Sequence, residues 1–184
     1  LDIFSRKIVG WDVLTTESAE QAARILKECC MKEGIERSAL TLHSDNGSSM
    51  KGSTMLATMQ WLGVASSFSR PRTSNDNCYS EALFKTLKYV PEYPERPFET
   101  LDAAKLWVAD FVRWYNTEHL HSGVSYVTPE DRHQGKDSEI LRHRREVYHE
   151  AMTENPNRWR RGVKKWEYQS VVYLNPTDLK EAQH

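Results

Sequence analysis

Two acidic residues of this sequence, Asp45 and Glu81, stand where a metal site could form. Asp45 opens the turn Asp45-Asn46-Gly47 directly after a predicted strand, Glu81 lies on a predicted helix, and 35 residues separate them. In open α/β sheets such strand ends line the functional crevice. Carboxylates on separate elements suit Mg²⁺, which adds waters and substrate phosphates, and a bound metal could activate a nucleophile. The alternative is that both acids are ordinary surface carboxylates.

Two lysines share the predicted helix with Glu81. Lys85 and Lys88 follow it at positions i+4 and i+7, so the three side chains project from one helix face. Phe84 and Leu87 occupy a neighbouring face that suits burial. Such a helix could hold a metal ligand beside cations that contact phosphates. An ordinary i,i+4 salt pair on a solvated helix is the alternative interpretation.

The elements that would position these side chains alternate between strands and helices. Strand predictions rest on β-branched and aromatic residues or on alternation, and helix predictions rest on apolar residues at helical spacing. The predicted strands cover residues 7–14, 39–44, 64–68 and 165–176, and the predicted helices cover the stretch between Thr16 and Gly34, residues 53–62, 77–89, a stripe from 104 to 115, and 137–154. This alternation indicates an α/β fold.

Several residues are predicted to set the helix boundaries. Thr16 is a candidate cap for the first helix, and Gly34 is expected to end that helix. The Thr128-Pro129 pair is predicted to be a stop before the last helix. The Asp76-Asn77 pair could cap the helix that carries Glu81.

The composition excludes several classes of function. The 184 residues include 25 Lys and Arg against 26 Asp and Glu, a formal net charge of −1, so the chain is not polybasic. Hydrophobic residues make up 39%, which suffices for a packed core, and no apolar run is long enough to cross a membrane. The three cysteines fit neither a disulfide framework nor a CxxC zinc site, which favours a reduced, cytosolic setting. A nucleotide-driven enzyme is not indicated, because the sequence has no Walker A loop and no GxGxxG motif.

Positive charge is concentrated near the C-terminal end. Residues 142–165 hold eight arginines and lysines against three glutamates. A basic segment beside a mildly acidic body is compatible with nucleic-acid contact. A solvated, charged helix is the alternative interpretation.

Four segments, in this order, resemble insertion-sequence transposases (orfB-type) with a retroviral-integrase-like DDE catalytic core. They are DIFSRKIVGW, LHSDNGS, SRPRTSNDNCYSEALFKTLK and FVRWYNTEHLHSGVSYVTP, which together span residues 2–129. The 35-residue gap between Asp45 and Glu81 is the spacing that names the family's acidic signature. The resemblance implies an α/β, RNase H-like fold, with a partial integrase-like core over residues 1–131 and a basic C-terminal extension over residues 132–184.

The resemblance also implies roles for individual residues. Asp45 matches the second catalytic acid and Glu81 the third, so both would be metal ligands. Lys88 matches a helix lysine that contacts donor-end DNA, and Lys85 lies on the same face. The remaining expected site residues are Arg70 and Arg72 as DNA contacts and Asn77 in a supporting role.

The sequence departs from the family pattern at the first catalytic acid. Relatives carry it upstream of the other two acids, in a W-x-x-D-I-T-like motif on the first strand, and no such motif precedes Asp45 in this sequence. Asp2 matches the first position of the D-x-F-S-R motif, which is not catalytic in the family. The expectation is an N-terminally truncated fragment that lacks the first strand and most of the second and is inactive by itself.

For the complete enzyme, the resemblance implies two Mg²⁺ ions, with Mn²⁺ as a substitute, and DNA strand cleavage followed by strand transfer. The expected partners are transposon ends, target DNA and other transposase protomers, in the bacterial cytoplasm at the nucleoid. Two alternatives stay open. One is a non-catalytic remnant or DNA-binding fragment of a disrupted insertion element, and the other is an RNase H-like nuclease that cuts but does not join.

Overall fold

The computed structural model describes residues 1–160 and 162–175. Its helices are α1 (Ala19–Lys32), α2 (Ser48–Lys51), α3 (Ser53–Leu62), α4 (Cys78–Tyr89), α5 (Leu101–Thr117), α6 (Pro129–His133) and α7 (Asp137–Glu154), and its strands are β1 (Thr41–Ser44) and β2 (Ala65–Phe68). Short 3₁₀ turns cover Ser74–Asn77, Ser122–Val124 and Pro156–Trp159. None of the described helices is both long and apolar enough to span a membrane.

The chain forms two compact units. Among the described residues, the first consists of Leu1, Val9–Phe111 and Leu174–Asn175, and the second consists of Asp2–Ile8 and Val112–Tyr173. Neither unit coincides with the sequence-based division at residue 131, which concerns modules of the family and stays a prediction.

The first unit contains a small parallel sheet. β1 pairs with β2 in parallel, from Thr41 opposite Ala65 to Ser44 opposite Phe68. α2 and α3 lie between the two strands in sequence, as a parallel connection requires a crossover. The predicted strands at residues 39–44 and 64–68 are therefore confirmed, and so is the helix at residues 53–62.

The core of the first unit lies where α1 packs on α3. Its buried residues are Ala23, Leu26, Cys30, Met55, Met59 and Val64. α1 is capped by Ser18, whose hydroxyl accepts a hydrogen bond from the Gln21 N–H at 3.2 Å. The predicted cap at Thr16 is therefore wrong, because a serine two residues later meets the first free amides of the helix.

The predicted strand at residues 7–14 does not form. Within the second unit, the backbone of Ile8 is paired with a side chain and not with a neighbouring strand. Its N–H donates to Asn116 Oδ1 at 2.9 Å, and its carbonyl accepts from Asn116 Nδ2 at 3.0 Å. The strand prediction is therefore wrong at these residues, and an asparagine side chain binds the Ile8 backbone groups that a neighbouring strand would otherwise bind.

The second unit contains α6, which begins at the pair predicted to be a stop. Thr128 Oγ1 accepts from the Asp131 N–H at 3.2 Å, and Pro129 is the first helical residue. Proline fits this position because the N–H it lacks would have no partner in the first turn. The Thr128-Pro129 pair is thus a helix start, and the interpretation as a stop is corrected.

The predicted strand at residues 165–176 is also absent over the described residues 165–175, while Pro176 lies outside them. Arginine side chains bind its carbonyls instead. Arg145 Nη1 donates to the Trp166 carbonyl at 3.1 Å, and Arg132 Nη2 donates to the Gln169 carbonyl at 2.9 Å. Trp166 is buried with Val127 and Leu141, so this segment is held by packing and by arginines.

Candidate active site

Asp45 lies in the turn that follows β1, with its side chain exposed. Its Oδ1 accepts a hydrogen bond from the Gly47 N–H at 2.9 Å, the local pattern that asparagine and aspartate favour in turns. A Cβ added at Gly47 would lie 3.0 Å from that oxygen, so the glycine lets the turn close on the carboxylate. Within residues 1–160 and 162–175, the other carboxylate oxygen accepts no hydrogen bond and can bind a ligand.

Glu81 lies in the first turn of α4, with Lys85 and Lys88 farther along the same helix. All three side chains are exposed. Among the described residues none of them makes a hydrogen bond or an ion pair, so the salt pair weighed for Glu81 and Lys85 does not form. The helix therefore presents one carboxylate and two ammonium groups to solvent.

The apolar face of α4 is less covered than the sequence predicted. Phe84 is 58% exposed, whereas Leu87 is half-buried. No residue of α4 is fully buried in the described part of the chain. The expectation that Phe84 would be buried is wrong, because spacing shows which residues share a face but not whether another element covers it.

Ser69 connects the Asp45 turn with the start of α4. It directly follows β2 and is 8% exposed. Its N–H donates to the Ser44 carbonyl at 3.0 Å, and its carbonyl accepts from Asn46 Nδ2 at 2.8 Å. Its hydroxyl donates to Asn77 Oδ1 at 2.8 Å, and Asn77 immediately precedes α4. Ser44, Asn46 and Asn77 thus meet at one buried serine.

Sequence reasoning missed Ser69 and Asn46 as site residues. The available signal was their position, since each lies just beyond the end of a strand that belongs to the parallel pair. Serine and asparagine commonly bind backbone groups at such ends. Asn77, which the resemblance placed in a supporting role, does not cap α4 with its side chain, because that side chain is engaged by Ser69.

Asp76 and Arg70 form a second tie before α4. The carboxylate of Asp76 accepts from Arg70 Nε at 3.0 Å, from Arg70 Nη2 at 2.8 Å and from the Arg70 N–H at 2.8 Å. Asn175 Nδ2 adds a bond of 2.7 Å. The Arg70 guanidinium, followed by Asn175, holds the pKa of Asp76 well below its usual range. Asp76 therefore acts as the partner of Arg70 and does not cap α4.

The two arginines expected to contact DNA differ in availability. Arg70 is half exposed but is paired with Asp76. Arg72 is exposed, has a positive φ of 61°, and forms no hydrogen bond or ion pair with the described residues. Arg72 is thus the better placed of the two to meet a phosphate.

Asp2 is engaged in a turn of the second unit. Its carboxylate accepts from the Phe4 N–H at 3.0 Å, the Ser5 N–H at 3.2 Å and the Ser5 hydroxyl at 2.5 Å. Burial raises the pKa of Asp2, but bonds from Ser5, Phe4 and His133 outweigh it and keep the pKa below its ordinary value. These contacts explain the D-x-F-S-R motif by turn formation and give Asp2 no metal-binding role.

In the described part of the chain, no group of three or more His, Cys, Asp or Glu residues could hold a metal ion. Asp45 and Glu81 are the two acids that the sequence motifs single out. Both are exposed, and Ser69 ties the segments that carry them.

Comparison with known proteins identifies the family. The integrase core domain matches this chain in two family models, one over residues 1–74, which includes Asp45, and one over residues 62–129, which includes Glu81. A transposase for insertion sequence element IS904 of Lactococcus lactis is 34% identical over 136 residues, or 71% of this chain and 51% of the relative. The chain belongs to the insertion-sequence transposases with an integrase-like core. A transposase-like protein of Haemophilus influenzae, described as uncharacterized, is 25% identical over 128 residues, or 70% of this chain and 58% of the relative.

The family confirms the fold class predicted for this chain. The integrase core is RNase H-like, and the parallel β1–β2 pair with its crossover helices is an α/β arrangement of that kind. The chain spans about half the length of the curated relatives it matches.

Proposed function

We propose that this chain provides two catalytic carboxylates, Asp45 and Glu81, of a DNA transposase that cleaves DNA strands and joins them to a target. The strongest support is that both carboxylates are exposed while the segments that carry them are tied together by hydrogen bonds. Both acids are exposed and pair with no cation among residues 1–160 and 162–175, while Ser69 ties the turn of Asp45 to the start of the helix that carries Glu81.

The donor set fits a divalent cation. Asp45 and Glu81 offer hard carboxylate oxygens, which suit Mg²⁺ and also its substitute Mn²⁺, and Mg²⁺ is commonly held by one or two carboxylates plus waters and phosphates. When bound, a pair of such ions supplies the Lewis-acid chemistry that activates a water or a DNA 3′-OH and stabilises the leaving oxygen. The role of the Asp45 and Glu81 side chains is to hold negative charge at a fixed place beside the DNA phosphate.

The cations near Glu81 are proposed to bind the DNA backbone. Lys85 and Lys88 stand on the exposed surface of α4 and are unpaired within the described chain, and Arg72 is available in the preceding loop. Arg70 would contribute less, because Asp76 neutralises it. Phosphate contacts of this type position a duplex without reading its sequence. The partners would be transposon ends, target DNA and further protomers, at the bacterial nucleoid.

A third carboxylate is needed for the complete DDE site. No acid of this sequence matches the family's first catalytic aspartate, and Asp2 is engaged in its own turn. We therefore expect the 184-residue chain by itself to show little or no cleavage or joining, because Mg²⁺ tolerates an incomplete ligand set poorly. Robust Mg²⁺-dependent joining by the purified chain would contradict this.

The proposed function is tested in a complete transposase that contains these residues. Asp45→Asn and Glu81→Gln should each lower strand joining by more than about 100-fold, since even the outer partners of metal ligands cost 10–100-fold when removed. DNA-end binding should survive in both variants. Glu95→Gln, an exposed acid of the same unit, is the matched control and should leave joining unchanged. Near-normal joining by Glu81→Gln would show that the assignment is wrong.

A further inference from the structure

We propose that Ser69 is a positioning residue that sets the separation of the Asp45 and Glu81 carboxylates. This inference rests on the proposed function, because it concerns how the same metal site is held. Ser69 does not touch the reacting atoms. It acts through the turn after β1 and through Asn77.

On the Asp45 side, both backbone polar groups of Ser69 are used. Its N–H donates to the Ser44 carbonyl at 3.0 Å, which continues the pairing of β1 with β2 by one residue. Its carbonyl accepts from Asn46 Nδ2 at 2.8 Å. Since Ser44 and Asn46 flank Asp45, these bonds hold the turn from both sides, and they do not depend on the serine side chain.

On the Glu81 side, the bond is made by the hydroxyl. Ser69 Oγ donates to Asn77 Oδ1 at 2.8 Å. Glu81 follows Asn77 by four residues, about one helical turn and roughly 6 Å along the axis. A shift of Asn77 therefore carries Glu81 with it.

The hydroxyl of Ser69 also meets His43. A hydroxyl has one proton, and two acceptors lie near that of Ser69: Asn77 Oδ1 at 2.8 Å and the Ser44 carbonyl at 3.2 Å. When Ser69 Oγ donates to the nearer one, Asn77, it accepts from His43 Nε2 at 3.3 Å. His43 Nδ1 then accepts from the Ser67 hydroxyl at 2.9 Å. The Ser69 side chain is thus oriented by β1 and directed toward Asn77.

Apolar packing does little to hold α4 in place. None of its residues is fully buried in the described chain, so its orientation depends on the residues just before it. Two ties act there, the Ser69–Asn77 bond and the Arg70–Asp76 pair. Ser69→Ala removes the first and keeps the second, so the loop should stay folded while the first turn of α4 becomes free to shift.

The test is a Mn²⁺ titration of the ¹⁵N-labelled 184-residue chain, in which the paramagnetic ion broadens the amide signals near its site. In the wild type, the amides of residues 45–47 and 78–82 should broaden together, with one midpoint. In Ser69→Ala the two segments should broaden at separate concentrations, with a midpoint for residues 78–82 about 10–100-fold higher. Ser66→Ala, an exposed serine of β2, is the matched control and should behave as the wild type.

The outcomes separate this inference from the proposed function. If Asp45→Asn and Glu81→Gln leave the wild-type broadening unchanged, the proposed metal site is wrong. If they abolish it, but the two segments of Ser69→Ala still broaden together at the wild-type midpoint, the metal site stands and the role of Ser69 is overturned. Should Ser69→Ala lose the dispersed amide spectrum of the wild type, Asn77→Ala breaks the same bond from its other end, and joint broadening at the wild-type midpoint in that variant would overturn the role equally.

Discussion

The buried pair of Arg132 and Asp137 in the second unit allows a quantitative prediction. Both side chains are 1% exposed, and Arg132 Nη1 lies 3.2 Å from Asp137 Oδ2. Arg132 Nε also donates to the Phe4 carbonyl at 2.7 Å, and its guanidinium stacks 4.3 Å from the Phe4 ring centre. The same guanidinium binds the Gln169 carbonyl. One side chain thus joins α6 to residue 4, to α7 and to the C-terminal segment.

Replacing Arg132 by methionine keeps much of the side-chain volume but leaves the Asp137 carboxylate buried without a counter-charge. Breaking a buried ion pair in this way costs about 3–5 kcal/mol. The carbonyls of Phe4 and Gln169 also lose a donor, but Gln169 is exposed and Phe4 is not fully buried, so water can replace part of that loss. A typical domain is stable by about 5–15 kcal/mol, so Arg132→Met should remove a large share of the stability.

Urea unfolding followed by tryptophan fluorescence measures this effect, because Trp114 and Trp166 lie in the second unit. With a slope of about 2 kcal/mol per molar urea, the midpoint should fall by about 2 M. The double variant Arg132→Met/Asp137→Leu should recover most of the loss, since an apolar pair commonly replaces a buried ion pair without penalty. A loss below about 1 kcal/mol in the single variant, or no recovery in the double variant, would refute the reasoning.

Two further predictions concern pH and DNA binding. Burial, helped by Arg6 and His119, lowers the pKa of His121 to about 4, and its Nδ1 accepts from the Gly123 N–H at 3.0 Å. Because the folded state favours neutral His121, the stabilisation from this residue should be complete above about pH 6.5 and should be lost as the pH falls toward 4. The urea midpoint should therefore decline over that range, and His121→Gln should flatten the decline. In a complete transposase, Lys88→Ala should weaken end binding and lower the steepness of log K against log salt by about 1. The control Lys105→Ala removes a lysine placed 3.6 Å from Asp12 and should leave both quantities unchanged. An unchanged slope in Lys88→Ala would argue against a phosphate contact.

Local sequence signals predicted most helices and the paired strands of this chain. The apolar positions of α1, α3 and α5 follow helical spacing, and Ala104, Phe111 and Tyr115 are buried as their stripe predicts. The strands predicted at residues 7–14 and 165–176 do not form, because side chains distant in sequence satisfy those backbone groups. Alternation of apolar and polar residues indicates an extended segment. It does not show that the side chain of Asn116 or Arg132 will make the hydrogen bonds that a neighbouring strand would make.

The candidate site could be predicted only in part. The candidate roles of Asp45 and Glu81 were predicted from motif and spacing, which can be read without any knowledge of packing. Ser69 could not be found in this way, because its role depends on its bonds to Ser44, Asn46 and Asn77, which lie between 8 and 25 positions away. The exposure of Phe84 likewise could not be predicted from the sequence, since it depends on which element covers α4 and not on α4 itself.

The most direct test of the central claim is a change of metal preference. In a complete transposase that contains these residues, Asp45→Cys and Glu81→Cys should bind DNA ends normally but fail to join them with Mg²⁺, which takes oxygen ligands and rejects a soft thiolate. Joining should return at least in part with Mn²⁺, while Glu95→Cys should stay active with Mg²⁺. If the two variants join normally with Mg²⁺, Asp45 and Glu81 are not the metal ligands.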